Sequence, residues 1–186
     1  MKLRWLNPQD VPGTQPTKTG VRLKQIRYSM TWMLLLLASD QISKIWVRDT
    51  IPLYQSRNLI PFLIDLTHVE NRGVSFSMLG DVSETFRVPL LAGISIVAVV
   101  MLTWYWWRHR PEMDFWLESA FVLILPGAVG NLIDRAWQGS VTDFFHFRFG
   151  SISFFVNNLA DIYISLGVVA YMIGSIRAHR LEKMRS

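Results

Sequence analysis

Four aspartates in this chain of 186 residues stand inside or at the edge of long apolar runs: Asp40, Asp134, Asp143 and Asp161. A charged side chain at the centre of a bilayer costs on the order of 2.5 to 3.5 kcal/mol by insertion scales, so such groups are expected to pair or to do chemistry. Asp40 has Lys44 at i+4, the spacing at which two side chains meet on one helix face, and reads as half of a structural ion pair. Asp134 lies in GNLIDR beside Arg135, and a helix brings Asn131, Asp134 and Arg135 to one side as a hydrogen-bonded cluster. Asp143 and Asp161 have no Lys or Arg within four residues, and His146 lies three residues beyond Asp143. Two carboxylates without cationic partners, brought together at an apolar boundary, share a proton, because desolvation and like charge both oppose double ionisation. That is the electrostatic arrangement of an aspartic protease. Each of the two also has a structural reading. Asn158 can cap a helix in which Asp161 is the N3 acid, and Asp143, in SVTDFFHF, can be a turn residue at a membrane surface.

Other chemistries lack their residues. With no Cys there is no disulfide framework, no thiolate metal site and no cysteine nucleophile. His68, His109, His146 and His179 are scattered without ligand spacing and no HExxH exists, so no metal and no cofactor is expected. The GxSxG elbow of serine hydrolases, the GxGD of presenilin-like and prepilin-type proteases and Gly-rich phosphate loops are all missing. The Trp and Phe residues read as bilayer-facing or interfacial side chains rather than a cofactor box.

The elements that must position these residues follow from hydropathy. Hydrophobic residues make up 51% of the chain and charged residues 18%, with a mean hydropathy of +0.24, too apolar for an ordinary solvated surface. A membrane span needs roughly 17 to 25 residues, and four runs qualify: 30–47, with Asp40 and Lys44 in its second half; 88–107, uncharged and closing on Trp104, Tyr105, Trp106 and Trp107; 115–134, carrying Pro126; and 158–176. The fold class expected is an all-α membrane protein of four transmembrane helices with a small extracytoplasmic β-rich segment within 48–87, where LIDLTHVENRGVSFSMLG suggests short strands or a hairpin. Residues 1–27, broken by Pro8, Pro12, Pro16, Gly13 and Gly20, read as a mobile basic tail and not as a secretory signal, since the first apolar run begins near Met30. The four-span domain is then 28–178, followed by a second basic tail, 179–186.

The net charge of +5 orients the spans. Lys2, Arg4, Lys18, Arg22, Lys24 and Arg27, then Arg108 and Arg110, then Arg177, Arg180, Lys183 and Arg185 fall on the side shared by both termini. The opposite side holds half as many cations over a longer stretch of chain. The positive-inside rule therefore places both termini in the cytoplasm and all four aspartates at the outer ends of helices. Nucleic acid is not an expected partner.

Five blocks, in order, resemble the lipoprotein signal peptidase (signal peptidase II) family: SDQISK (39–44), NRGVSFSML (71–79), GNLIDR (130–135), VTDFFHF (141–147) and NNLADIYISLG (157–167). The likeness runs from about residue 31 to 178. It implies a four-span aspartyl endopeptidase of the bacterial inner membrane, active on the periplasmic or extracellular side. Such an enzyme removes the signal peptide from prolipoproteins by cleaving just before the diacylglyceryl-modified Cys. By resemblance the catalytic dyad falls on Asp143 and Asp161. Substrate binding or structural support falls on Asp40, Lys44, Asn71, Gly73, Asn131, Asp134, Arg135 and Asn158. The partners implied are diacylglyceryl-modified prolipoproteins and membrane lipid, and a monomer is expected. The family usually has small residues where Val74 and Ser75 stand, an aromatic where Asn157 stands and commonly a Pro where Phe155 stands, and its N-terminal tail is shorter. These departures bear on substrate preference more than on chemistry. The rival from another class is a small transporter or channel accessory protein relaying an ion through the same carboxylates. Such proteins more often carry internal repeats, and 30–107 does not repeat in 115–178.

Overall fold

The computed structural model describes residues 18–73 and 84–184. Its elements are α1 (Lys18–Thr50), β1 (Ser56–Ile60), β2 (Ile64–Asn71), α2 (Glu84–His109), a short 3-10 turn (Arg110–Glu112), α3 (Phe115–Gln138), β3 (Val141–Phe149), β4 (Ile152–Asn157) and α4 (Leu159–Lys183). The four helices alternate in direction, so the C-termini of α1 and α3 and the N-termini of α2 and α4 meet at one end, where the strands also lie.

Among the described residues, three helical segments are long and apolar enough to cross a membrane: Thr85–Glu112, Phe115–Gln138 and Leu159–Lys183. Three of the four expected spans thus coincide with such helices. The first expected span lies within α1, which is 33 residues long but interrupted by Asp40, Gln41 and Lys44. The expectation of a mobile tail over 1–27 needs correction: residues 18–27 are the opening turns of α1, and 1–17 lie outside the described residues. Lys, Gln and Arg are good helix formers, so a helix started in an apolar run readily extends through them.

Large apolar side chains face outward on α2, including Ile94, Val97, Met101 and Trp104, each at least half exposed. In water such a surface would be costly, and it suits a lipid surround. Inward, α3 is the central helix and packs against each of the other three. Its approach to α4 depends on small residues. A Cβ on Gly127 would stand 2.6 Å from the carbonyl oxygen of Ala160, and one on Gly167 would stand 2.9 Å from that of Ala120.

The strands form one antiparallel sheet in the order β1-β2-β3-β4, built from two hairpins. The β1–β2 hairpin was expected within 48–87. The β3–β4 hairpin was not, and it corrects the reading of Asp143 as a turn residue: Asp143 sits inside β3, opposite Val69 of β2. The signal was present in VTDFFHFRF, a β-branched and aromatic run ended by Gly150 at φ +59°. Arg148 of β3 donates to Asp65 of β2 at 3.1 Å, and Asn58 of β1 donates to the same oxygen at 2.8 Å, so one carboxylate laces three strands. At the far end of the bundle, buried Arg110 donates through Nε to Glu118 Oε1 at 2.7 Å. Ser29 of α1 donates to the same oxygen at 2.6 Å. The guanidinium also lies 5.2 Å from the ring centroid of Trp106, which joins α1, α2 and α3 where the sheet does not reach.

Adding a methyl group at the α3–α4 seam must push two backbones apart. Gly127→Ala and Gly167→Ala are each expected to cost about 1 to 3 kcal/mol, measured as a lowered midpoint of thermal unfolding in detergent micelles. Gly93→Ala, where the added carbon meets nothing within 4 Å, is expected to be neutral or slightly stabilising.

Candidate active site

The expected polar residues converge where the sheet meets the helices, in two layers. The inner layer is built on Lys44, whose side chain is fully buried. Its Nζ stands 2.9 Å from Asp40 Oδ2 and 3.0 Å from Asp134 Oδ2, and donates to Asn131 Oδ1 at 3.0 Å. Asp40 reaches further, its Oδ1 accepting from the backbone N–H of Ala160 at 2.9 Å. Asp134 Oδ2 accepts from the backbone N–H of Thr142 at 3.2 Å, next to Asp143. A side chain on Gly130 would collide with the Asp40 carboxylate, so this glycine is what admits the cluster between α1 and α3.

The outer layer holds Asp143 and Asp161. Asp143 is 3% exposed; its Oδ1 accepts from Asn158 Nδ2 at 2.6 Å and its Oδ2 from Asn71 Nδ2 at 2.9 Å. Asp161 Oδ1 accepts from Asn131 Nδ2 at 2.8 Å. Asn158 bridges the two: its side chain donates to Asp143, while its backbone N–H donates to Asp161 Oδ2 at 3.3 Å and its Oδ1 accepts from the Asp161 backbone N–H at 3.0 Å. This reciprocal pair is a capping box at the start of α4. Asp161 therefore occupies the capping position and the carboxylate cluster at once. On the other flank, Gly73 turns the chain at φ +82° and donates its N–H to Asn71 Oδ1 at 2.9 Å, holding the Asn71 amide with its NH₂ toward Asp143.

Burial pushes the Asp143 carboxyl up, to about 6. The bond from Asn71 resists this, the charge of Asp161 adds to it, and the bond from Asn158 and the charge of Lys44 resist it more weakly. A carboxyl in that range exchanges its proton near neutral pH, as general acid–base chemistry requires. A cavity of about 520 Å³ opens on Asp143. A larger cleft, about 1070 Å³, lies between α1 and α3 near Tyr28, Trp32 and Glu118, at the opposite end of the bundle, and holds none of the four aspartates.

The chain's closest candidates for metal binding do not assemble: among the described residues no group of three or more His, Cys, Asp or Glu could hold an ion. Residues 32–177 match the sequence model of the family described as signal peptidase (SPase) II. The chain belongs to the signal peptidase II family. The lipoprotein signal peptidase of Streptococcus pneumoniae strain R6 is 39% identical over 145 residues, 78% of this chain and 90% of that protein. That of Bartonella tribocorum is 38% identical over 166 residues, 87% and 96%. A bacterial membrane enzyme solved by the in meso method at 1.9 Å resolution superposes with a TM-score of 0.70 at 25% identity, covering 80% of this chain and 92% of that one.

Within this signal peptidase II chain, nine of the ten residues singled out from the sequence are joined by the contacts above. The tenth, Arg135, meets the expected cluster through the backbone of Asn131 rather than through the Asp134 carboxylate. Asp134 takes Lys44 as its ion-pair partner across the α1–α3 interface, while Arg135 Nη1 donates to the carbonyl of Asn131 at 3.4 Å. One helical step separates the two side chains, enough to point Arg135 away from the Lys44 pocket. His146, near Asp143 in sequence, instead meets Ser153 Oγ at 2.7 Å across the β3–β4 hairpin. Arg48 and Thr142 were not singled out. Arg48 Nη1 donates to Thr142 Oγ1 at 2.9 Å and stands 3.9 Å from Asp134 Oδ1. Its i+4 spacing from Lys44 was the available signal. Of the departures from family habit, Phe155 packs against Phe147 with the rings tilted and their centroids 5.0 Å apart, and Asn157 lies opposite Phe145 in the sheet. Val74 and Ser75 lie outside the described residues.

Removing Lys44 strands two carboxylates that are 0% and 2% exposed. Lys44→Met is expected to lose about 3 to 5 kcal/mol of stability, seen as a large drop in unfolding temperature in micelles. Arg48→Ala, whose side chain is 28% exposed, is expected to lose about 1 kcal/mol or less.

Proposed function

We propose that the protein is a lipoprotein signal peptidase whose reaction is carried by Asp143 and Asp161. It removes the signal peptide of a prolipoprotein by cleaving just before the diacylglyceryl-modified Cys. The observation that carries the dyad is the shared bridge at Asn158, which ties one buried carboxyl of raised pKa to a second carboxylate. The raised pKa of Asp143 favours it as the acid at the start. Asp161 then takes a proton from water as the water oxygen attacks the scissile carbonyl, and Asp143 gives its proton to the carbonyl oxygen. The resulting gem-diol collapses as Asp161 passes its proton to the leaving amine and Asp143 regains one from a gem-diol hydroxyl. No covalent intermediate forms, and the pair ends as it began.

The other site residues divide by what they touch. Asn71, Asn131 and Asn158 orient the carboxylates. Asp40, Lys44 and Asp134 fix the helices that carry them, Gly73 sets Asn71, and Arg135 stands where it can hydrogen-bond substrate backbone.

The same reading makes α1 the fourth span, since its charges are sequestered against α3, and puts both termini in the cytoplasm by the distribution of Lys and Arg. The dyad then faces the periplasm or cell exterior. The four-span domain is 28–178, and the basic stretches on either side continue α1 and α4. Phe62, Phe149, Ile152 and Phe154 at the hairpin tips, all more than half exposed, suit contact with membrane lipid. The chain acts as a monomer, since the dyad is complete within it.

Asp143→Asn and Asp161→Asn are each expected to lower kcat/KM for a lipidated precursor by about 10² to 10⁴-fold; full activity in either ends the dyad assignment. Because Asp143 must carry its proton, kcat/KM is expected to fall tenfold per unit as pH rises past the Asp143 pKa of about 6. Asn71 favours the charged form of Asp143, so Asn71→Ala should raise that pKa and move the alkaline limb to higher pH while lowering the rate. A limb that moves to lower pH contradicts Asp143 as the acid.

A further inference from the structure

Between α1 and β1 the chain makes a tight turn, closed by the Gln55 N–H donating to the Pro52 carbonyl at 3.0 Å. The third residue of that turn, Tyr54, has φ +62°. Gly adopts this left-handed backbone freely and Asn tolerates it, whereas a bulky side chain holds it under strain. β2 grips the turn at three points and so enforces the conformation. The Tyr54 N–H donates to the His68 carbonyl at 2.8 Å, the His68 N–H donates to the Gln55 carbonyl at 3.1 Å, and the buried His68 ring donates through Nδ1 to the Ile51 carbonyl at 2.8 Å. Strain that the surroundings impose in this way is a mark of functional positions.

The fold gains little from the ring in return. Tyr54 is 72% exposed, and its side chain neither hydrogen-bonds nor stacks with another described residue. Yet it walls the cavity of about 520 Å³ that opens on Asp143, together with Val69 and Val156. Phe62, the other residue besides Gly with a positive φ among those described, tips the β1–β2 hairpin and is no part of this wall. An aromatic ring on a pinned backbone offers a large contact area at small entropic cost, because two side-chain torsions are all that binding must fix. The rest of the wall, Glu70, Asn71, Arg72, Arg87 and Asp143, is polar, which suits a peptide chain and not acyl chains.

We propose that Tyr54 is a substrate-binding residue, whose ring closes over the peptide of the precursor where it is held at Asp143. The inference rests on the peptidase reading with Asp143 in the site. The experiment compares the purified full-length protein with Tyr54→Gly, Tyr54→Ala and Tyr54→Phe in the same micelles, on one lipidated precursor. Loss of the ring in the Gly and Ala variants is expected to raise KM on the order of ten-fold, with kcat held within about twofold. Tyr54→Phe keeps the ring and should stay within about threefold of the unsubstituted KM. Stability separates binding from a structural role. Gly removes the strain at φ +62°, so the thermal midpoint of Tyr54→Gly is expected to be no lower than that of the unsubstituted protein even as KM rises. A midpoint several degrees lower, or a variant that does not fold, makes Tyr54 a structural residue and overturns the proposal. An unchanged KM in both the Gly and Ala variants overturns it too, and a Phe variant as weak as Gly overturns contact through the ring. If the unsubstituted protein cleaves no precursor, the peptidase reading fails, and the binding role with it.

Discussion

Everything at the sheet end of the molecule is hung on one buried ammonium. Lys44 is enclosed by Asp40, Asp134 and Asn131, and each of these partners passes its position on. Asp40 holds the backbone of Ala160 in the first turn of α4, Asp134 holds the backbone of Thr142 beside Asp143, and Asn131 holds the carboxylate of Asp161. A buried ion cluster contributes little net stability once desolvation is counted. Its effect here is geometric, since a cation with three fixed partners leaves α1, α3, β3 and α4 one mutual arrangement.

The amides around the dyad follow from the same electrostatics. A Lys or Arg bonded to Asp143 or Asp161 would favour double ionisation and abolish proton sharing. Asparagines instead fix the two carboxylates through neutral donors, and Asn131 stands between Lys44 and Asp161. The distance from Lys44 to the dyad is thus set by a side chain that can donate with one end and accept with the other. Asn158 uses the same duality, donating to Asp143 and accepting from the Asp161 backbone.

How much of this was legible in the sequence depended on range. Spans such as 88–107 are visible because a bilayer demands a long unbroken apolar run, and the proximity of Asp40 and Lys44 is visible because it is one turn of one helix. The capping role of Asn158 and Asp161 is local too. What the sequence did not disclose is pairing across elements. Helix spacing grouped Asn131, Asp134 and Arg135, but nothing local showed that Asp134 pairs with Lys44 of α1. Likewise β3 and β4 were obscured because their aromatic content resembles membrane-edge sequence, and only pairing with β2 makes them strands. The family blocks recovered the members of the site through likeness, but not which of them touch.

The wiring of Lys44 also bears on how the protein is made. Synthesis proceeds from the N-terminus, so α1 emerges with Lys44 long before its partner Asn131, which follows 87 residues later, and before Ala160, which lies 120 residues beyond Asp40. Until α3 and α4 arrive, α1 carries its charged pair unsheltered, and neither dyad carboxylate has its full set of donors. The docking of α4 that lets Asp40 grip its first turn is also what brings Asp161 to Asn131 and so completes the proposed pair. A chain in which α4 has not docked therefore lacks one carboxylate of the proposed pair, whatever else has folded.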